Sequence, residues 1–332
     1  MTTRTRYFVI VSLLVLGVGL GTGLVAYYVG VQGMPFVRHA GPEELQYVPK
    51  DATVVAFANV QEIMHSDLRQ KLHRSLRMKE NGQAELQNLT GINLENDVFR
   101  VVACLYADAA PDGNVPGAGM VLARGNFDET KIEALMRDHG ATIEDYKGAR
   151  LLVAHVNPAG DANARSFALT FVEPGLAAFG TTEVVKRAID LHQSADSGAA
   201  QSVTSNEELM GLVRSLETGN NAWAVGRFDA LTARAHLPEN IAGQIPAITW
   251  FSVATHVDGG LRGTLRAETR DDDAANNLRD VVRGFLALGK LQGGSRPEFQ
   301  AMMSSLQLGG QGKTVTLSFD VPSQVFDAIG RH

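Results

Sequence analysis

Residues 53–63 read TVVAFANVQEI and residues 221–231 read NAWAVGRFDAL. Each stretch starts as an alternating strand and runs through a short polar turn into the start of a helix. The order of elements therefore restarts near residue 221. After the first copy, Val98–Tyr106 (VFRVVACLY) and Met120–Arg124 read as two strands joined by DAAPDGNVPGAG, a Gly- and Pro-rich connection over residues 108–119. After the second, Ile248–His256 and Leu261–Glu268 repeat that hairpin.

The following helix also occurs twice. Asn126-Phe127-Asp128 opens one with Ile132, Leu135 and Met136 on a single face and Gly140 in the left-handed cap position, and Asp271–Leu288 repeats it. In the first half Ala149–Val156, Ser166–Val172 and Leu176–Gly180 read as strands, with Pro174-Gly175 as a tight turn. A helix over residues 182–191 follows, capped by Thr181 or Thr182. Ser205 with Glu208 forms a capping box for a helix running through Leu216. Lys313–Asp320 is expected to stand where Ala149–Val156 stands, and Val325–Ile329 starts a last helix. Strand runs alternating with single helices imply the α+β class: two similar domains, 47–200 and 201–332, of antiparallel sheet with helices packed on one face.

Ahead of these lies Tyr7–Gly30, YFVIVSLLVLGVGLGTGLVAYYVG, which carries no charge and is long enough to span about 30 Å of hydrocarbon. It outruns a signal peptide's apolar stretch, and no Ala-x-Ala or Cys follows it, so an uncleaved anchor over residues 1–33 is favoured over a cleaved signal. Arg4 and Arg6 precede the span, which places the start in the cytoplasm and the body outside it. The expected location is thus the inner or plasma membrane, single-pass, with the bulk periplasmic. Gly17 with Gly21 and Gly19 with Gly23 give two small-xxx-small pairs, a possible helix-dimer face, although glycine is common in membrane helices generally. Residues 34–46, with Pro35, Gly41 and Pro42, form a linker.

A net charge of -6 with no local Lys or Arg run argues against nucleic acid, since phosphates need a basic face. The 45% apolar and 20% charged content is that of globular protein. Cys104, the single cysteine, sits in a strand that reads as buried, so it is taken as a core residue rather than a nucleophile. Gly309-Gly310-Gln311-Gly312-Lys313-Thr314 looks like a phosphate loop, but Gln307 stands where the motif needs glycine, and Thr314 enters a strand rather than a helix. A flexible turn is the better account. No two histidines share a metal-binding spacing, and His65 with His73 fit a solvated helix face. Glu268 with Asp271-Asp272-Asp273 lacks the glycine-bent spacing of a calcium loop and suits a helix N-terminus. Asn88-Leu89-Thr90 matches the glycosylation pattern only weakly. No cofactor, metal or catalytic residue is expected.

Trp223, Trp250 and Phe251 are the large aromatics of the second half. On strands such residues are usually core, and facing outward they would form a possible aromatic binding surface. The anchor, the Tyr47-Val48-Pro49-Lys50-Asp51-Ala52 opening and Phe179-Gly180-Thr181-Thr182 entering a helix together resemble bacterial membrane-anchored envelope proteins of unknown function. That resemblance implies no activity and no site residues. The expectation is a non-enzymatic extracytoplasmic binding or scaffold protein of the cell envelope, partnered by the membrane and by an envelope protein or a second copy. The alternative is an envelope hydrolase with a site built from residues distant in sequence.

Overall fold

The structure, a computed structural model, describes residues 41–70, 93–106, 118–156, 165–194, 201–216, 218–228, 247–292, 297–322 and 325. The strands are β1 (Val54–Asn59), β2 (Val98–Leu105), β3 (Gly119–Gly125), β4 (Thr142–Tyr146), β5 (Ala149–Val156), β6 (Arg165–Glu173), β7 (Leu176–Thr181), β8 (Ala222–Arg227), β9 (Ile248–Val257), β10 (Leu261–Thr269), β11 (Gln307–Gly309) and β12 (Thr314–Val321). The helices are α1 (Val60–Met64), α2 (Leu94–Asp97), α3 (Glu129–Asp138), α4 (Thr182–Gln193), α5 (Glu207–Ser215), α6 (Asp272–Gln292) and α7 (Pro297–Ser305). The class is mixed α+β. Among the described residues no helix is long and apolar enough to cross a membrane. The expected anchor, with Gly17, Gly19, Gly21 and Gly23, lies outside the described residues, as do His73, Asn88 and most of the linker.

All twelve strands join one antiparallel sheet in the order β11-β12-β10-β9-β8-β1-β2-β3-β7-β6-β5-β4. At its centre β1 pairs with β8, so the halves of the chain share one sheet, with Ala56 directly opposite Ala224. Outward from that pair, β1-β2-β3-β7 on one side mirrors β8-β9-β10-β12 on the other. The mirror also corrects one assignment. Lys313–Asp320 forms β12, which pairs with β10 as β7 pairs with β3, so it stands where β7 stands and not where Ala149–Val156 (β5) stands. The first half carries the extra hairpin β4–β5 beyond that point, and matching by chain order alone shifted the correspondence by one hairpin.

Strand alternation gives each face its own packing. One face presents Val55, Val102, Cys104, Met120, Leu122 and Ala178, which form the main core with Val184, Val185 and Ile189 of α4 and Leu209 of α5. Each Val, Leu, Ile or Met among them stabilises the fold by roughly 1.5–3 kcal/mol when fully buried. On the opposite face Ala58, Val101 and Ala222 hold Val60, Ile63 and Met64 of α1. Arg150, one residue from the core-facing Leu151, reaches Glu133 of α3 at 2.5 Å and ties that helix to the same face as α1. Helices therefore lie on both faces, not on one as expected. The reason is visible in the strands: both faces are apolar, and each needs cover.

Local signals vary in how well they place the caps. Asp128 accepts from Lys131 N at the start of α3, and Gly140 has φ +89° beyond its end, as the sequence predicts. Asp271 accepts from Ala274 N at the start of α6, the capping role assigned to the acidic run. For α5 the cap is Asn206, whose side chain accepts from Leu209 N, and not Ser205, whose hydroxyl donates to Ser202 O. Thr181 holds the cap position of α4 without a side-chain cap bond.

Candidate functional site

The three aromatics singled out in the sequence do not share a surface. Trp223 is buried in the main core with Trp250 packed against it, whereas Phe251 lies buried on the other face with Val54, Ala224 and Val253. Trp223 and Phe57 keep their rings 5.7 Å apart beside the β1–β8 junction. The odd-even difference between positions 250 and 251 on β9 separates them.

The exposed apolar surface lies elsewhere. On the face away from the main core, direct cross-strand partners run Ile143, Leu152, Leu169, Phe179, Val121, Ala103 and Ala56 through the first half. The row continues as Ala224, Val253, Leu265, Leu317 and Leu308 through the second. It crosses every strand without a polar side chain. Val253 in the second half and Leu152 in the first are each 3% exposed, but Phe179 is 47% exposed, Ile143 38% and Val121 36%. Phe167 stacks on Phe179 at 6.2 Å, and the neighbouring floor is small, made by Ala56, Ala103 and Gly119. A Cβ on Gly119 would stand 3.0 Å from Cys104 O, so the floor stays low. The result is an open apolar patch centred on a stacked aromatic pair, on the face that also carries α1 and α3. Leaving such residues in water forgoes the burial free energy that Val253 gains in the second half.

The sequence held a signal for it. In SFALTFV the larger side chains Phe167, Leu169 and Phe171 alternate with Ala168, Thr170 and Val172, and the latter set is the buried one. A strand apolar on both faces needs cover on both.

Two polar clusters flank the sheet. Arg100 and Arg124 are direct cross-strand partners, an arrangement that repels unless bridged. Glu44, fully buried in the 3₁₀ turn Glu43–Tyr47, bridges them at 3.0 and 3.2 Å. Arg124 also reaches Glu173 at 2.5 Å, and the Tyr47 hydroxyl donates to Glu173 at 2.7 Å. Burial opposes the charge on Glu173, but the bonds from Tyr47 and Arg124 outweigh it and hold this carboxyl below its ordinary range. Burial and the Glu173 carboxylate push the Tyr47 hydroxyl well above the usual phenol range. This turn is thereby riveted to β2, β3 and β6, so residues 43–46, expected to belong to the linker, are part of the folded body because Glu44 and Leu45 are buried. Removing one partner of such a buried cluster costs about 3–5 kcal/mol.

The second cluster lies at the β9–β10 turn. His256 Nε2 sits 3.3 Å from Asp258 Oδ2, beside an open cavity of about 290 Å³ lined by Asp258, Arg262 and Asp320 among others. His256 Nδ1 is enclosed and makes no hydrogen bond. Cys104 is 2% exposed, and burial pushes its thiol up to about 11, which keeps it protonated and unreactive as the sequence predicts. Gly310 and Gly312 have φ +96° and +53° in the turn entering β12, so the glycine-rich stretch is a turn before a strand. Among the described residues no group of three or more His, Cys, Asp or Glu could hold a metal. Comparison with family models, with curated proteins and with solved structures finds no match.

Proposed function

We propose that this chain is a membrane-anchored extracytoplasmic binding or scaffold module of the cell envelope, and that the apolar face around Val121 and Phe179 is its binding surface. The observation that carries this is Phe179, a large aromatic 47% exposed and stacked on Phe167 at the middle of a broad sheet rather than at its rim. Isolated exposed apolar residues are ordinary, but a row of them on one face marks an interaction surface. The uncharged Tyr7–Gly30 supports the anchor. The Glu44 bridge supports a fixed exit, because it locks the turn Glu43–Tyr47, at the end of the stretch expected as linker, to the sheet. The repeated strand order and the matched register around Ala56 and Ala224 support two halves built from one repeated unit.

Hydrolase chemistry, the alternative, would start from the contact between His256 and Asp258 at the cavity. With Nε2 committed to the carboxylate, the nitrogen left to take a proton is the enclosed Nδ1, which a substrate could not reach. The geometry therefore favours binding. The test is a photo-crosslinking residue at position 179 of the full chain in native membranes, with the exposed position 131 on α3 as control. A discrete adduct at 179 and none at 131 is expected, and equal, diffuse labelling at both positions would refute the assignment.

A further inference from the structure

The exposed large apolar side chains among the described residues fall into two sets: Val121, Ile143 and Phe179 on the sheet, and Val281, Phe285 and Leu288 on α6. Spaced i, i+4 and i+7 on a 21-residue helix, the second set makes one stripe. It borders the inward side of α6, where Ala274 and Ala275 are buried and Gly289, one turn beyond Phe285, lies against Met303, so the apolar face of the helix runs on from the packed side into solvent. Arg283 and Lys290 fall about half a turn away, on the far side of the helix from the stripe. Docking the stripe would therefore desolvate neither cation.

A helix stripe and a flat sheet face are natural layer partners. The sheet's own symmetry offers a covered counterpart: β12 places Val315 at the register position of Ala177, and β9 places Val253 at that of Ala103. Val315 and Val253 are 4% and 3% exposed, whereas Ala177 and Ala103 are only half-buried and Phe179 beside them is open.

Resting on the reading of this face as a binding surface, we infer that its occupant is a second copy of the chain, the α6 stripe of each copy seated on the Val121–Phe179 face of the other. Both halves of the contact are present on one chain, and a two-fold pair uses each of them twice, doubling the apolar area covered. The expected membrane tether would raise the effective concentration of the two copies.

The experiment uses the full chain in detergent micelles, with F179C and F285C carried on separately tagged copies and a short bismaleimide as the linker. Cys104 is the single native cysteine and is buried, so background is low. Mixed copies should give a crosslinked species bearing both tags, and either variant alone should not. F285E should weaken the dimer about 30-fold or more in sedimentation equilibrium, the loss expected of a central aromatic anchor, with the far-ultraviolet circular dichroism unchanged. A wild-type chain that stays monomeric, or an F285C–F285C crosslink in place of the mixed one, overturns the inference. If the chain is monomeric but binds 1-anilinonaphthalene-8-sulfonate, and F179E abolishes that binding, the binding face stands and only its occupant is wrong. If F179E leaves dye binding unchanged, the face itself is refuted. Protection of F179C from a soluble maleimide by phosphatidylglycerol vesicles, with the chain monomeric, would give the face to lipid and likewise overturn self-pairing.

Discussion

At the scale of single residues, Glu173 ties acid stability to the turn that opens the folded body. Its carboxyl is held below the ordinary range despite burial, because Tyr47 and Arg124 bond to its charged form. A depressed carboxyl stabilises the fold fully above the unfolded value and loses that contribution as pH falls through the native one. Urea midpoints should therefore drop for the wild type between about pH 5 and pH 2, and Glu173→Gln should show a shallower slope over that window while starting from a lower midpoint at pH 7. Equal slopes for the two proteins would remove Glu173 from the account. Nothing in the sequence marked this group: Glu44, Arg100, Arg124 and Glu173 are far apart along the chain and lie in no motif. Cys104 was legible, since a lone thiol within the apolar run Val101–Tyr106 has few places to go but the core.

At the scale of elements, hydrophobic alternation located the strands well and the caps less well. Both Ser205 and Asn206 are good N-cap residues, and only the backbone decides between neighbours. Asn206 has extended dihedrals at the helix entrance and accepts from Leu209 N, while the Ser205 hydroxyl turns back to Ser202 O. Asn206→Ala should cost about 1 kcal/mol in denaturant unfolding. Ser205→Ala should cost less than half as much, and the reverse order would restore the capping box. The short edge strand β4 went unread because TIEDY carries two adjacent acids, which local propensity assigns to a loop. Those same charges suit an edge strand that must not pair with other chains. That helices occupy both faces was recoverable from strands such as SFALTFV, but alternation alone does not say which apolar face a helix covers and which it leaves open.

At the scale of the whole molecule, the β1–β8 pairing makes the halves interdependent. Gly226 on β8 lies so close to β1 that a Cβ there would stand 2.5 Å from Thr53 O. Expressed alone, residues 201–332 would bare the edge of β8, an apolar strand with Trp223 in its second position. Such a fragment should aggregate, as light scattering after refolding would show, and should regain solubility when refolded with residues 41–200. A soluble, monomeric fragment with native-like Trp fluorescence would mean that the junction contributes little. The matching strand order of the two halves was legible in the restart at residue 221. The joining of the two halves into one sheet was not, because periodicity reports which side chains share a face and is silent on which strand lies alongside.

That central pairing also sets a schedule for synthesis. β1 leaves the ribosome early, and its second neighbour, β8, follows about 160 residues later, on the order of ten to thirty seconds at ordinary elongation rates. Through that interval β1 can pair with β2 on one side, while its other edge, rich in valine and alanine, has no partner. The sheet therefore closes at its middle last, when the distant mate of that edge has been made.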